Sequence, residues 1–182
     1  MTVRNRNARL TNLLTPRGFG VVAAAFALCG YAASAPGAPR TAAGSGNATA
    51  SAPVGFYRVR RDRALARGDL VLAIPNPSLA TFAARRGYLP SGVPLVKRIA
   101  AVAGDAVCAR GNAVFINGRL AAARRAADGA GRALPAWTGC ARLRRDEVFL
   151  LMANVLSSFD GRYFGPTPAS QVVGVLNPLW TR

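Results

Sequence analysis

Two side chains of this sequence, the Ser51 hydroxyl and the Lys97 amine, could together supply a nucleophile and its base. Lys97 is the only lysine, since every other basic residue is an arginine. Arginine stays protonated in proteins, whereas a buried lysine can lose its proton near neutral pH. The chain has no histidine, which excludes Ser-His-Asp chemistry, Cys-His chemistry and the usual histidine metal ligands. A base that must be neutral therefore cannot be one of the arginines.

The candidate nucleophile lies in the segment Ser51-Ala52-Pro53-Val54-Gly55. A serine followed by a proline-containing turn and a glycine can be held exposed, with its own backbone N–H free. That N–H can serve as an oxyanion donor. The same pattern is also common at the end of a plain linker, so it does not identify a nucleophile by itself.

Lys97 lies within Pro94–Val102, a segment whose β-rich composition predicts a strand. Side chains alternate along a strand, so Lys97 and Arg98 must face opposite sides. Lysine is the cheaper of the two to bury, which predicts that Lys97 points inward. Burial lowers the pKa of an amine, and a neutral amine can take the proton of a nearby serine.

A third segment, 157–166, contains further polar residues. Asp160 and Arg162 could pair and shape a loop. A serine close by could hydrogen-bond a neutral lysine and so orient it. An ordinary polar turn is the alternative interpretation.

The elements that would position these residues are mostly strands. We predict a mainly β, antiparallel domain with one or two short helices. A helix should begin after Asn76, with Pro77 in its first turn, and end at Gly87. The Asn117-Gly118 pair predicts a hairpin, and residues 121–139 read as a surface excursion. The predicted strands lie within residues 56–60, 69–74, 94–102, 113–120, 147–152 and 171–176.

The N-terminal part of the sequence predicts export. A basic segment, 1–17, precedes an apolar run, 18–36, of about the length that a transmembrane helix needs. Basic residues before the run place the N-terminus in the cytoplasm. We therefore expect a single-pass anchor in the bacterial inner membrane, a linker at 37–50 and a periplasmic domain at 51–182. A cleaved signal peptide ending near residues 32–35 is the alternative.

Cysteine usage and charge bear on the compartment and the partners. Cys108 and Cys140 could form a disulfide in an oxidising compartment, or could be two buried free thiols. The formal charge of +17 favours anionic surfaces such as phospholipid. The arginines are scattered and not interleaved with aromatic residues, which argues against nucleic acid as a partner. We predict no cofactor and no metal.

Three segments in this order resemble the type I signal peptidase family and, within it, the conjugal-transfer peptidase TraF group. The resemblance covers about residues 50–180 and extends to the cysteine pair and the closing Leu179-Trp180. The nucleophile box matches at Ser51, Pro53 and Gly55; the lysine box at Lys97, Arg98, Gly104 and Asp105; and the C-terminal box at Ser158, Asp160, Arg162, Tyr163, Gly165 and Pro166.

The resemblance implies a role for each of these site residues. Ser51 would attack the scissile carbonyl, and Lys97 would be the general base. Ser158 would orient the amine, Asp160 and Arg162 would support the loop, and the hydroxyl of Thr49 would supply a second oxyanion donor. The implied substrate is an exported preprotein cut after small residues, most specifically a pilin precursor, with the conjugation machinery as a further partner.

The chain departs from the family pattern in the third box. Met152-Ala153 stands where Gly-Asp is usual, and Gly161 stands where Ser is usual between Asp160 and Arg162. We expect the Met152 side chain to crowd the space near Lys97, and Arg98 to lose an ionic partner. General signal peptidase I is the alternative within the class. A catalytically degenerate basic adaptor at the membrane surface is the alternative outside it.

Overall fold

The computed structural model describes residues 44–47 and 52–181, and it arranges them in two antiparallel sheets. This confirms the prediction of a mainly β antiparallel domain with short helices. The strands are β1 (Gly44–Asn47), β2 (Gly55–Arg60), β3 (Leu70–Ala73), β4 (Leu95–Ala101), β5 (Ala106–Arg110), β6 (Ala113–Ile116), β7 (Arg119–Ala123), β8 (Gly139–Arg142), β9 (Glu147–Leu150), β10 (Thr167–Pro168) and β11 (Val172–Thr181). The helices are α1 (Pro77–Arg85), the four-residue α2 (Gly161–Phe164) and a 3-10 turn at Ala169–Gln171.

The larger sheet has the strand order β1-β2-β11-β3-β4-β9-β10, and the smaller one has the order β7-β6-β5-β8. A buried cluster joins the two sheets. Ala101 of β4 and Phe149 of β9 pack there with Val107 of β5 and Val114 of β6. All four side chains are fully buried, so β4 and β9 lie in the interior of the fold.

Helix α1 begins where its sequence predicts and ends at Arg85, two residues before the predicted Gly87. The Asn76 carboxamide oxygen accepts the Leu79 N–H at 2.9 Å and caps the first turn, with Pro77 as the first helical residue. Gly87 has a φ of 71°, a conformation that glycine adopts without strain just after a helix.

The Asn117-Gly118 pair makes the predicted hairpin. Ile116 of β6 pairs directly with Arg119 of β7, which leaves two residues in the turn. Both of these residues have positive φ, 49° for Asn117 and 78° for Gly118. That is the turn whose twist matches the twist of paired strands.

Strands β5 and β8 were not predicted, and a disulfide joins them. Cys108 and Cys140 are direct partners across the two strands, and their Sγ atoms are bonded. The predicted disulfide is thus present in the structure, in place of two free thiols. The bond ties residue 140, at the end of the long segment that follows β7, back to β5.

Most of residues 121–139, the predicted surface excursion, are exposed or partly exposed, but the segment is anchored to the sheets at particular residues. Strand β7 continues to Ala123, and the next residue, Arg124, has an exposed fraction of 8%. Its guanidinium donates to the carbonyls of Gly111 and Trp137, and the Trp137 ring packs against Phe149. These hydrogen bonds and ring contacts hold the segment against the sheets, although its composition is that of a surface loop.

The N-terminal predictions fall mostly outside the described residues. The basic segment 1–17 and the apolar run 18–36 lie there, and of the predicted linker only 44–47 is described, as strand β1 paired with β2. Within residues 44–47 and 52–181, no helix has the length and hydropathy needed to cross a bilayer.

Candidate active site

Lys97 lies in the middle of β4, paired across the sheet with Val71 of β3. Its exposed fraction is 4%, whereas Arg98 is exposed and donates to the Gly68 carbonyl. Because side chains alternate along the strand, Lys97 shares its face with Leu95. The structure therefore confirms the predicted inward orientation of Lys97.

Burial changes the acid–base behaviour of this amine. Removal from water lowers the pKa of Lys97 from 10.5 to about 8. The Asp160 carboxylate acts in the opposite direction and raises that pKa, and the Arg162 guanidinium lowers it again. About half of the molecules would therefore carry a neutral amine at pH 8, which is the state that a general base requires.

The loop that carries Asp160 and Arg162 is held by a buried ion pair. Both side chains have no exposed surface, and Arg162 Nε lies 2.8 Å from Asp160 Oδ1. A second contact of 3.1 Å joins Arg162 Nη2 to Asp160 Oδ2. A bidentate pair of this kind fixes the planes of both groups, so it fixes the loop that follows β9.

The same ion pair also holds the backbone at residue 152. The Met152 N–H donates to Asp160 Oδ2 at 3.0 Å, and Arg162 Nη2 donates to the Met152 carbonyl at 2.7 Å. The Met152 side chain packs against the cluster that contains Val96 and Tyr57. Val96 faces the opposite side of β4 from Lys97. The contacts of Met152 therefore do not bear out the expected crowding of Lys97.

Ser158 is the other buried polar residue of this loop, with an exposed fraction of 1%. Its N–H donates to the Val155 carbonyl at 3.0 Å. Its Oγ has no hydrogen-bond partner among the residues that the structure describes. A buried hydroxyl in that state costs free energy unless something binds it.

Gly161 leaves no room for a side chain. A Cβ at this position would lie 2.6 Å from the Leu150 carbonyl oxygen and 2.9 Å from the Phe149 ring. The Gly161 carbonyl accepts the Trp137 Nε1–H at 3.0 Å. The glycine that replaces the usual serine is therefore required by the way β9 and the 158–164 loop pack in this chain.

A cavity of about 210 Å³ opens beside Lys97. It lies between the chain that leads from α1 into β4 and the segment 124–134, which is part of the predicted surface excursion. Its walls are mostly apolar or aromatic, and they include Leu89, Pro94, Leu95, Leu134, Phe159 and Tyr163. The polar groups that line it are Tyr88, Lys97, Arg125, Asp128 and Ser157.

Of the six predicted site residues, four lie in the described part of the chain. Asp160 and Arg162 form a buried ion pair, and their charges act in opposite directions on the pKa of the Lys97 amine. Ser158 lies in the same loop. Ser51 and Thr49 fall outside the described residues. Sequence reasoning missed Arg124 and Trp137. The tryptophan in an Ala/Gly-rich stretch was an available signal, whereas the sequence holds none for the burial of Arg124.

Known proteins resemble this chain over most of its length. The family model for signal peptidase, peptidase S26, matches residues 17–180. The plasmid transfer protein TraF of Escherichia coli is 37% identical over 173 residues, which are 89% of this chain and 91% of that protein. A probable conjugal transfer protein TraF of Sinorhizobium fredii is 38% identical over 145 residues, 74% of this chain and 76% of that one.

Among solved structures, a signal peptidase I from Enterococcus faecalis is 22% identical, with a TM-score of 0.38. The match covers 63% of this chain and 98% of the other. The family resemblance read from the three boxes is confirmed by the family model and by the TraF relatives. The chain therefore belongs to the S26 signal peptidase family.

Proposed function

We propose that this protein is a membrane-bound serine endopeptidase, with Ser51 as its nucleophile and Lys97 as its general base. The observation that carries the proposal is Lys97 itself, an amine with an exposed fraction of 4% and a pKa of about 8 that lines a cavity. The chain has no histidine and no second lysine to do the same work. A peptidase of this family needs such a base to activate a serine.

In the proposed reaction, the neutral Lys97 amine takes the proton of the Ser51 hydroxyl. The Ser51 oxygen attacks the scissile carbonyl, the C–N bond breaks, and the amine product leaves with that proton. Water then hydrolyses the acyl-enzyme. The Ser51 N–H and the Thr49 hydroxyl would stabilise the oxyanion.

The loop after β9 has properties that suit a supporting role. The Asp160 carboxylate favours the protonated form of Lys97, which is the form created when Ser51 loses its proton. The Ser158 hydroxyl is buried and lacks a partner among the described residues. It could therefore hold the amine in the direction of the nucleophile.

The cavity and the relatives guide the choice of substrate. Apolar walls around a small volume suit short side chains such as alanine. We infer an exported preprotein that is cut after small residues in the periplasm, with residues 18–36 as the inner-membrane anchor. The relatives named for plasmid and conjugal transfer favour a pilin precursor over the general preproteins of signal peptidase I.

Processing of a reporter preprotein by the membrane-inserted chain tests the dyad. Ser51→Ala and Lys97→Arg should each lower processing by at least about a thousandfold, because each removes a reacting group. Ser91→Ala and Arg98→Lys are matched controls, since both residues are exposed. We expect both controls to retain processing.

Full processing by either dyad variant would refute the proposed mechanism. Should the unmodified chain process no preprotein while still binding anionic vesicles, the basic adaptor becomes the better account of its function. Cleavage of a general preprotein at a rate equal to that of a pilin precursor would favour the signal peptidase I assignment.

A further inference from the structure

The positive and negative charges on the side chains that line the cavity beside Lys97 are not equal in number. One carboxylate, Asp128, and one permanently charged cation, Arg125, line it together with Lys97. Both residues belong to the segment between β7 and β8. Whether the cavity attracts an anion depends on how far Asp128 offsets Arg125.

The Asp128 carboxylate is already fully engaged. Its Oδ2 accepts hydrogen bonds from the Tyr88 hydroxyl and from Arg132 Nε, the latter at 2.7 Å, and Arg86 Nη1 lies 3.6 Å away. Its Oδ1 accepts the N–H groups of Ala130 and Arg132, each at 2.9 Å. These donors, with Tyr88 first, hold the pKa of Asp128 well below its usual range. Its charge is therefore offset by partners other than Arg125.

Arg125 has no such partner. Its backbone N–H donates to the Tyr163 hydroxyl at 3.1 Å, which fixes the start of the side chain at the cavity wall. Its guanidinium has no hydrogen bond or ion pair among the residues that the structure describes. All seven acidic residues of the chain are already paired with other arginines, within 4.0 Å. No acidic side chain is therefore left over for Arg125.

We propose that Arg125 is a specificity-determining residue that binds a carboxylate of the substrate close to the scissile bond. This inference rests on the proposed peptidase function and adds to it a preference for an anionic group. The guanidinium offers a planar set of donors that match a carboxylate in two parallel hydrogen bonds. The apolar walls accept the small side chains of the substrate, and Arg125 binds the carboxylate beside them.

The carboxylate could belong to an acidic side chain or to the C-terminus of the substrate. Alanine-rich fluorogenic peptides test both sources. In one series, Asp or its neutral match Asn is placed at each position around the cleavage site. In the other series, the distance from that site to the C-terminus of the peptide is varied. Each of these peptides is made as a free acid and as an amide. The measured quantity is the ratio of kcat/KM within each matched pair.

We expect the anionic peptide to be preferred about fivefold at one position, which is the size of a well-formed exposed ion pair. Arg125→Gln should bring that ratio close to one, and Arg125→Glu should invert it. Added salt should lower the ratio, because it screens exposed charges. Arg110→Gln is the matched control, since Arg110 is an exposed arginine that does not line the cavity. It should retain the preference.

Equal rates within every pair for the unmodified chain, or a preference that persists in Arg125→Gln, would overturn the assignment. Cleavage of the neutral peptides, and its loss in Lys97→Arg, tests the peptidase function separately. If the chain cleaves none of the peptides, fluorescence anisotropy with the same labelled pairs gives the ratio of Kd values. That ratio then decides for or against Arg125 without any need for turnover.

Discussion

Burial of the Lys97 side chain costs free energy, whereas burial of its apolar neighbours is favourable. Val71 and Ile99, on β3 and β4, have no exposed surface and gain free energy from burial. Lys97 in the same region must either lose its proton or keep a poorly hydrated charge. Lowering its pKa from 10.5 to about 8 corresponds to about 3 kcal/mol of lost stability below pH 8.

Replacing Lys97 by Met should therefore stabilise the protein, and by an amount that depends on pH. Between pH 8 and 10.5 the unfolded chain binds more protons at this residue than the folded chain does, so the stability of the unmodified protein rises with pH through that window. The advantage of Lys97→Met in the free energy of unfolding should fall by about 3 kcal/mol from pH 7 to pH 10.5. Urea unfolding at a series of pH values measures it.

The exposed neighbour of Lys97 provides the control for that experiment. Arg98→Met removes a charge of the same sign from the same strand, but an arginine does not titrate in this range. Its effect on stability should be the same at pH 7 and pH 10.5. An equally flat difference for Lys97→Met would mean that the amine is not desolvated.

At the scale of the elements, local chemistry was predictable and long-range contacts were not. The Asn76 cap of α1 and the Asn117-Gly118 turn depend on residues within a few positions of each other, so the sequence pattern contains the information. The orientation of Lys97 followed from the alternation of one strand. The burial of Arg124 depends on the carbonyls of Gly111 and Trp137, each 13 positions away. No local pattern could have predicted that arrangement, or the cavity wall that it supports.

Gly161 supplies a prediction about how α2 meets β9. Gly161→Ser restores the residue usual in the family, but its Cβ would lie 2.6 Å from the Leu150 carbonyl oxygen. We expect the free energy of unfolding to fall by about 2 kcal/mol, the usual cost of overpacking. Gly129→Ser is the control, because a Cβ there meets nothing within 4 Å. Equal stabilities of the two variants in urea unfolding would show that β9 and the loop can move apart cheaply.

At the scale of the whole molecule, the acidic residues shape the distribution of charge. Each of the seven carboxylates has an arginine partner, so the formal charge of +17 consists of basic residues that have no acidic counterpart. Such a surface attracts anionic phospholipid over a distance set by the ionic strength. The charge thus favours a location at the membrane surface. It does so equally for a peptidase and for an adaptor, so it does not distinguish the two functions.

The disulfide is the one covalent link that acts on the domain as a whole. It joins residues 32 positions apart and encloses β6, β7 and the cavity wall. Closing a loop of that length removes enough entropy from the unfolded chain to stabilise the fold by about 3 to 4 kcal/mol. The double variant Cys108→Ala/Cys140→Ala should lose that amount in urea unfolding under oxidising conditions, a large part of the stability of a typical domain. Cys29→Ala leaves the disulfide intact and should unfold like the unmodified chain. A loss below about 1 kcal/mol in the double variant would mean that β5 and β8 stay together in the unfolded state, because the chain-entropy effect would then be absent.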